Sequence, residues 1–184
     1  PVVNGDFSNG LANWTAYTGH VNLGVTQIAG WTTPELAQSA YPSQTPGRDD
    51  NDLTSGYDNP IVTVVNGRLK LEESYMITPG YGVVHGPAAY SDAFAATTGM
   101  VLKFDWQANN INDDYHVVGY LLNTATGAAS IALQSYGTSG AGTATVTVPT
   151  GGNYRFVFVS GTFDATGGTV AGASMFIDNI RVEQ

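Results

Sequence analysis

The chain has 184 residues, a length that fits one domain, and a formal net charge of −9 at pH 7. Its six basic residues are scattered along the sequence, which argues against a nucleic-acid partner because binding nucleic acid needs a basic surface. Cysteine is absent, which excludes disulfides and thiolate catalysis, and no apolar run approaches the roughly 18 residues of a membrane-spanning segment.

Short segments with the alternation of β-strands follow one another along most of the chain. Predicted strands cover residues 2–14, 17–28, 61–71, 101–108, 115–123, 130–136, 143–148, 154–163 and 176–182. Turn residues separate them, and no segment has a convincing helical period. This pattern predicts an all-β fold in which two antiparallel sheets pack as a sandwich. We expect one domain over residues 1–184 and, because the chain starts at Pro1 rather than Met, a module of a longer protein.

Residues 30–60 are the exception to this pattern. The segment is rich in proline and has neither a strand nor a helix period, which predicts a long loop. Its aromatic residues Trp31, Tyr41 and Tyr57 argue against disorder. Loops of this length in a compact domain are usually functional when they are ordered. We therefore expect a long ordered loop with a role in function.

An acidic run inside this loop is the strongest candidate for a metal site. The run consists of Asp49, Asp50, Asn51 and Asp52. Ca²⁺ takes about six to eight oxygen ligands at about 2.3–2.6 Å, and closely spaced Asp and Asn side chains can supply several of them. The spacing differs from that of an EF-hand, so the alternative is a solvated acidic loop. The neighbouring rings of Tyr41 and Tyr57 would add apolar contacts to a bound ligand.

Three more aspartates lie beside predicted core strands. Asp113 and Asp114 belong to the polar turn between two of them, and Asp164 follows a third strand and precedes two glycines. Adjacent side chains point apart in an extended chain, so one of the first two carboxylates is a candidate metal ligand while the other faces solvent. Glycines after Asp164 would let the backbone approach an ion or a ligand closely. The alternative at each place is an ordinary turn.

The closing strand carries a carboxylate among apolar residues. Every second residue falls on one face, which consists of Phe176, Asp178, Ile180 and Val182. Because three of these four are apolar, we expect the face to meet the core. The carboxylate of Asp178 should then bind a cation or backbone N–H donors, since an isolated buried charge is costly. Asp6 in the opening Asn-Gly-Asp, or a backbone carbonyl of that segment, is expected against the same strand because chain termini often lie close together. Asp6 is therefore a further candidate metal ligand.

Catalytic motifs are absent from the sequence. His20, His85 and His116 are far apart and do not have the spacing of a zinc site. Glu72 and Glu73 are adjacent and point to opposite sides of a strand, so they do not form the carboxylate pair of a glycosidase. No nucleophile motif is found. We expect a protein that catalyses no reaction.

Both ends of the chain resemble one broad fold family. The opening NGDF of residues 4–7, with Trp14, and the closing FIDNIRV of residues 176–182 resemble galactose-binding-type jelly-roll modules, a fold that many bacterial carbohydrate-binding modules have. The middle is similar to a narrower family. FDWQANNINDDYHVVGYLLNTATG (104–127) and NYRFVFVSGTFDATGG (153–168) resemble the ligand-binding domains of very long, calcium-dependent bacterial RTX adhesins. The resemblance implies a non-catalytic jelly-roll β-sandwich, bound Ca²⁺ and capture of a peptide or glycan on another cell.

These observations and the resemblance lead to one functional expectation. The chain is expected to be a Ca²⁺-dependent ligand-binding module of a large secreted adhesin, active at the cell surface and in biofilms, and monomeric within its longer chain. A loop-bound Ca²⁺ with open coordination positions would accept the carboxylate of a peptide C-terminus or the hydroxyls of a glycan. The expected ligand-binding residues are Asp50, Asp52, Tyr41, Tyr57 and Asp164. The alternatives are a carbohydrate-binding module of a polysaccharide-degrading enzyme, with structural calcium and sugar-binding aromatics, and a structural spacer of an extracellular fibre.

Overall fold

A computed structural model describes residues 2–28, 30–36, 59–77, 82–164 and 170–183, without the side chains of residues 75–77 and 82. The strands are β1 (Trp14–Tyr17), β2 (Thr26–Ile28), β3 (Trp31–Thr32), β4 (Ile61–Val65), β5 (Arg68–Ile77), β6 (Gly82–Ser91), β7 (Phe94–Ala96), β8 (Val101–Asn110), β9 (Asp114–Asn123), β10 (Ala129–Gly137), β11 (Ser139–Thr147), β12 (Gly152–Asp164) and β13 (Val170–Val182). These described residues contain no helix, and therefore none of a length and apolarity that would cross a membrane.

Two antiparallel sheets form the body of the molecule. The six-stranded sheet has the order β1-β6-β12-β9-β10, with β7 beside β12, and the five-stranded sheet has the order β11-β8-β13-β5-β4. From β5 onwards the chain passes repeatedly from one sheet to the other, as in a jelly roll. The prediction of an all-β jelly-roll sandwich is confirmed. We call the sheet faces that meet each other the inner faces and the opposite ones the outer faces.

Aromatic rings fill the space between the inner faces. Phe104 from the five-stranded sheet meets Phe158 from the six-stranded sheet with ring centroids 4.9 Å apart, and Phe156 stacks on Phe158 at 5.7 Å. Trp14 lies against the other side of Phe158 at 5.8 Å. Burying each large apolar side chain contributes about 1.5–3 kcal/mol, so this cluster is the main reason that the sheets stay together.

A second apolar layer covers the outer face of the six-stranded sheet. It is formed by Val21, Leu23, Trp31 and Leu36, which pack against β6, β9 and β12. The indole Nε1 of Trp31 donates to Tyr120 Oη at 2.9 Å, so the ring is fixed in the interior. The prediction that residues 30–60 lack a strand is therefore wrong at their start, where β3 lies. Residues 37–58 are outside the described parts of the chain.

Strand β6, which was not among the predicted strands, passes through a β-bulge. Between the pairs Val159↔Ala88 and Gly161↔His85, β12 advances by two residues and β6 by three. The extra residue falls at Gly86-Pro87, where proline cannot donate to the ladder and glycine tolerates the distortion. Because His85 pairs with Gly161, it lies on the outer face with Val159. The bulge therefore reverses the alternation of the strand.

The closing strand β13 has the opposite alternation from the predicted one. Met175 and Ile177 are completely buried, whereas Phe176 and Asp178 are only partly buried and lie on the outer face. The prediction that Asp178 faces the core is wrong. The reason is a second irregularity: the register shifts between Asp178 and Arg181, and Asn179 has a left-handed φ of 52°. A bulge at this point returns Ile180 to the core.

We expect substitutions of two neighbouring residues on β13 to have very different effects. Ile177→Ala should lower the free energy of unfolding by about 2–5 kcal/mol because it leaves a cavity in the core. Asp178→Ala should change it by less than about 0.5 kcal/mol because the carboxylate lies on the outer face. Denaturant unfolding of both variants measures the difference. An equal or larger loss in Asp178→Ala would show that the carboxylate has a structural role after all.

Candidate functional site

Buried polar side chains are concentrated at one end of the sandwich, which we call the polar end. Here β5, β8 and β12 end, and β6, β9 and β13 begin. Its buried polar residues are Glu73, Asp113, Ser160, Thr162 and Asp164. Four of the five have no exposed surface, and Asp113 has 9%. Such a set is unusual inside a β-sandwich, because a buried polar group that lacks a partner costs about 1–3 kcal/mol.

Strand β12 accounts for most of this set. Its inner face carries Phe156 and Phe158 in the aromatic core and then only polar residues, from Ser160 to Asp164. The pairing of β12 with β9 shows no register shift, so these side chains continue the same face. Thr162 Oγ1 donates to the carbonyl of Asp114 at 2.8 Å. This change from phenylalanine to polar residues at every second position is a signal that the sequence itself contains.

The structure brings three of the predicted carboxylates to the polar end. Asp114 pairs with Phe163, the residue before Asp164, and Asp113 precedes it in the turn. Asp113 Oδ1 accepts the backbone N–H of Asp114 at 3.0 Å. Burial, and then the negative charge of Asp113, raise the pKa of Asp114 above its usual value. The polar end therefore carries several carboxylates that are partly shielded from water.

Glu73 is a further carboxylate of the polar end, and it was not among the predicted site residues. It lies on the inner face of β5. The adjacent Glu72 lies on the outer face, where its Oε2 forms a salt bridge with Lys70 Nζ at 2.9 Å. The prediction that Glu72 and Glu73 point apart is confirmed. A Cβ on Gly86 would lie only 2.7 Å from Glu73 Oε2, so the bulge of β6 makes room for this carboxylate.

The remaining predicted metal ligands lie elsewhere. The opening segment does contact the closing strand, since Ile180 N–H donates to the carbonyl of Gly5 at 2.9 Å. Asp6 itself is exposed, and its Oδ1 accepts the backbone N–H and the hydroxyl of Ser8, which lower its pKa. Asp178 lies on the outer face of the five-stranded sheet. The acidic run Asp49–Asp52, with Tyr41 and Tyr57, is outside the described residues.

Within the described ranges, no three His, Asp or Glu side chains lie close enough together to hold a metal ion. Asp113, Asp114 and Asp164 therefore share one end of the sandwich without forming a complete site. Their chemistry fits part of a calcium shell, because all are oxygen donors and two are buried. Further donors would have to come from backbone carbonyls or from residues beyond those described.

The outer face of the five-stranded sheet carries a second cluster of functional groups. Four of the six basic residues lie on it, so the basic residues are less scattered in space than in the sequence; these are Arg68, Lys70, Lys103 and Arg181. Asp105 accepts hydrogen bonds from Thr143 Oγ1 at 2.7 Å and Asn179 Nδ2 at 2.8 Å. Although burial opposes it, these bonds and Arg181 hold the pKa of Asp105 below its usual value.

A depression of about 170 Å³ lies at the centre of this face. Its lining includes Arg68, Asp105, Gln107, Phe176 and Asp178. The guanidinium carbon of Arg68 is 4.4 Å from the ring centroid of Phe176, and its Nη1 donates to Gln107 Oε1 at 3.0 Å. Among the described residues, no carboxylate forms a salt bridge with Arg68. The depression thus combines an aromatic ring with hydrogen-bond donors and acceptors.

Two histidines meet on the outer face of the six-stranded sheet. The ring centroids of His85 and His116 are 4.9 Å apart, and the residues are 0% and 4% exposed. The prediction that the histidines are far apart is wrong for this pair, because β6 and β9 flank β12. Burial, and then the neighbouring His85, hold the pKa of His116 well below its usual value.

Comparison with known proteins gives matches only among solved structures. No protein-family model and no curated protein matches the chain. A CBM4 structure has a TM-score of 0.47 at 10% identity, over 100% of this chain and 99% of that one. The K3 cleaved adhesin domain of Lys-gingipain from Porphyromonas gingivalis w83 has a TM-score of 0.45 at 17% identity, over 97% of this chain and 95% of that one. A CBM28 specific for non-crystalline cellulose has a TM-score of 0.43 at 12% identity, over 100% of this chain and 94% of that one. These similarities concern the overall architecture.

We expect the free energy of unfolding to fall when the pH drops below the ordinary histidine value of 6.5. His116 is neutral in the folded protein but takes up a proton in the unfolded chain. Its pKa is thus lower in the folded state, so its contribution is complete above pH 6.5 and is lost as the pH falls, by at most about 1.4 kcal/mol per pH unit. Denaturant unfolding between about pH 5 and pH 8 measures this slope.

His116→Asn should remove this part of the slope, even if the variant is less stable at every pH. His20→Asn makes the same change away from the pair, and its slope is the reference with which that of His116→Asn is compared. Identical slopes in the wild type and in His116→Asn would contradict the assignment of the pH effect to this residue.

Proposed function

We propose that this chain is a non-catalytic, Ca²⁺-dependent ligand-binding module of a large secreted bacterial adhesin of the RTX type, which captures a peptide or a glycan on another cell. The observation that carries the proposal is the meeting of Asp113, Asp114 and Asp164 at the polar end. Ionised groups are costly to bury, and a cation beside these carboxylates would offset part of that cost. Ca²⁺ prefers carboxylate and carbonyl oxygens, which are the donors available here.

Among the described residues, Asp113, Asp114 and Asp164 would each supply part of the shell of an ion at the polar end. Asp164 would approach from the end of β12, Asp114 from the start of β9 and Asp113 from the turn before β9. What a bound Ca²⁺ supplies is positive charge, with positions open to the carboxylate of a peptide C-terminus or to glycan hydroxyls. The proposal extends to the acidic run Asp49–Asp52 as a second place for an ion and as the recognition loop.

A carbohydrate-binding module is the second candidate function, and the depression on the five-stranded sheet favours it. A sugar ring offers hydroxyl donors to Asp105 and Asp178 and hydroxyl acceptors to Arg68. Phe176 lies among these groups and provides an apolar surface. In this alternative calcium is structural, and sugar binding does not require an ion.

We expect removal of calcium to lower the melting temperature of the protein. An ion that binds only the folded state stabilises it by about 4 kcal/mol at a thousandfold excess over Kd, which is on the order of 10 °C for a domain of this size. Thermal unfolding with Ca²⁺ and with a chelator measures the shift. Asp164→Asn keeps the size of the side chain but removes the charge, and it should reduce the shift.

Asp6→Asn is the matched control for this experiment, because it makes the same change at an exposed carboxylate away from the polar end. Its calcium-dependent shift should equal that of the wild type. Melting curves that are the same with and without chelator, at low ionic strength, would refute calcium dependence.

We expect a glycan-and-peptide array, probed with and without Ca²⁺, to separate the two candidate functions. In the adhesin proposal, binding disappears with a chelator and in Asp50→Ala, while Phe176→Ala binds normally. In the carbohydrate-module alternative, binding persists with a chelator and in Asp50→Ala but is lost in Phe176→Ala, because the ligand lies against Phe176 and Arg68. Loss of binding in neither variant would place the ligand site elsewhere on the molecule.

A further inference from the structure

The histidine pair is built across three neighbouring strands. His85 on β6 pairs directly with Gly161 on β12, and His116 on β9 lies on the other side of Gly161. The two rings extend over the glycine towards each other until their centroids are 4.9 Å apart. Both imidazoles thus occupy the space above a residue that has no side chain.

The glycine is required for this arrangement. A Cβ on Gly161 would lie 2.5 Å from Cδ2 and 3.0 Å from Nε2 of His85, and 2.5 Å from the carbonyl oxygen of His116. The ring edge of His85 that carries Nε2 therefore lies over the central strand, on the side of His116. Any larger residue at this position would displace the ring of His85.

The bulge of β6 aims His85 at its partner. Continuous alternation from Ala89, which faces the core, would also place His85 on the inner face. The extra residue at Gly86-Pro87 moves His85 to the outer face, where it pairs with Gly161. Bulges that re-aim a side chain occur preferentially next to functional sites.

We propose that His85 and His116 form a two-imidazole site for a divalent transition metal ion, with Zn²⁺ as the chemical prototype. Two imidazoles that bind one ion at about 2.0–2.1 Å, with a near-tetrahedral angle, have ring centroids about 5 Å apart. Neutral imidazole is the form that binds metals.

An ion can approach this pair from the edge of the sheet. Tyr136 on β10 pairs directly with His116, and its side chain is 48% exposed. The row Tyr136, His116, Gly161, His85 therefore runs from the solvent-exposed edge strand to the interior. Since no third His, Asp or Glu of the described residues joins the pair, the remaining coordination positions are left to water or to a ligand of another kind.

This site differs from the proposed calcium site in its chemistry and does not depend on it. Ca²⁺ prefers oxygen donors, whereas imidazole suits Zn²⁺ and its neighbours in the transition series. The chain has no cysteine and only three histidines, so few other groups compete for such an ion. A large excess of Ca²⁺ during the experiment occupies the carboxylates and leaves the imidazoles available.

The test is calorimetric titration of the protein with Zn²⁺ in excess Ca²⁺. We expect the wild type to bind one Zn²⁺ per chain, and His85→Asn and His116→Asn each to weaken binding at least tenfold. His20→Asn is the matched control and should bind as the wild type does. The proposal is overturned if the wild type binds no Zn²⁺, or if the two Asn variants bind as tightly as the wild type.

A measurement on the unaltered protein covers the case in which these variants fail to fold. Zn²⁺ added to the wild type should shift the imidazole NMR signals of His85 and His116 and leave those of His20 in place. With three histidines in the chain, His20→Asn is enough to identify the unaffected set. Shifts confined to His20, or no shifts, would also overturn the proposal.

Discussion

The pairing of β12 with β6 and β9 is the constraint on which the rest of the structure depends. Both faces of β12 are buried: the inner face by the phenyl rings of the core and the outer face by the layer around Trp31. A shift of one residue would exchange the two faces, and would bring Phe156 and Ser160 to the outer layer. The fixed register therefore decides which side chains reach the polar end and which glycine lies between the histidines.

The bulge of β6 has consequences on both sides of the six-stranded sheet. On the outer face it directs His85 towards His116, and on the inner face it places Gly86 under the carboxylate of Glu73. One inserted residue thus serves two polar groups, because a regular β6 would have turned His85 to the inner face, where Glu73 lies. Because both groups are buried, removal of the bulge would displace a buried titratable side chain.

The alternation of apolar residues was enough to predict the sandwich, since strands such as β8 and β11 have alternating patterns that survive in the structure. It failed where the backbone departs from regular geometry, at Gly86-Pro87 and at Asn179. The convergence of Asp114 with Asp164 follows from strand pairing, as does the meeting of His85 with His116. A single sequence does not show which strands pair with each other. Composition likewise could not show that four basic residues share one face.

The two kinds of titratable group near β12 respond to acid in opposite directions. A histidine whose pKa is lowered by folding costs stability as the pH falls, whereas a carboxyl whose pKa is raised by folding costs stability as the pH rises. His116 belongs to the first kind and Asp114 to the second. At neutral pH the repulsion between Asp113 and Asp114 is therefore a standing cost of the fold. A cation at the polar end would offset that cost where protonation cannot, and this gives the carboxylates a physical reason to be together.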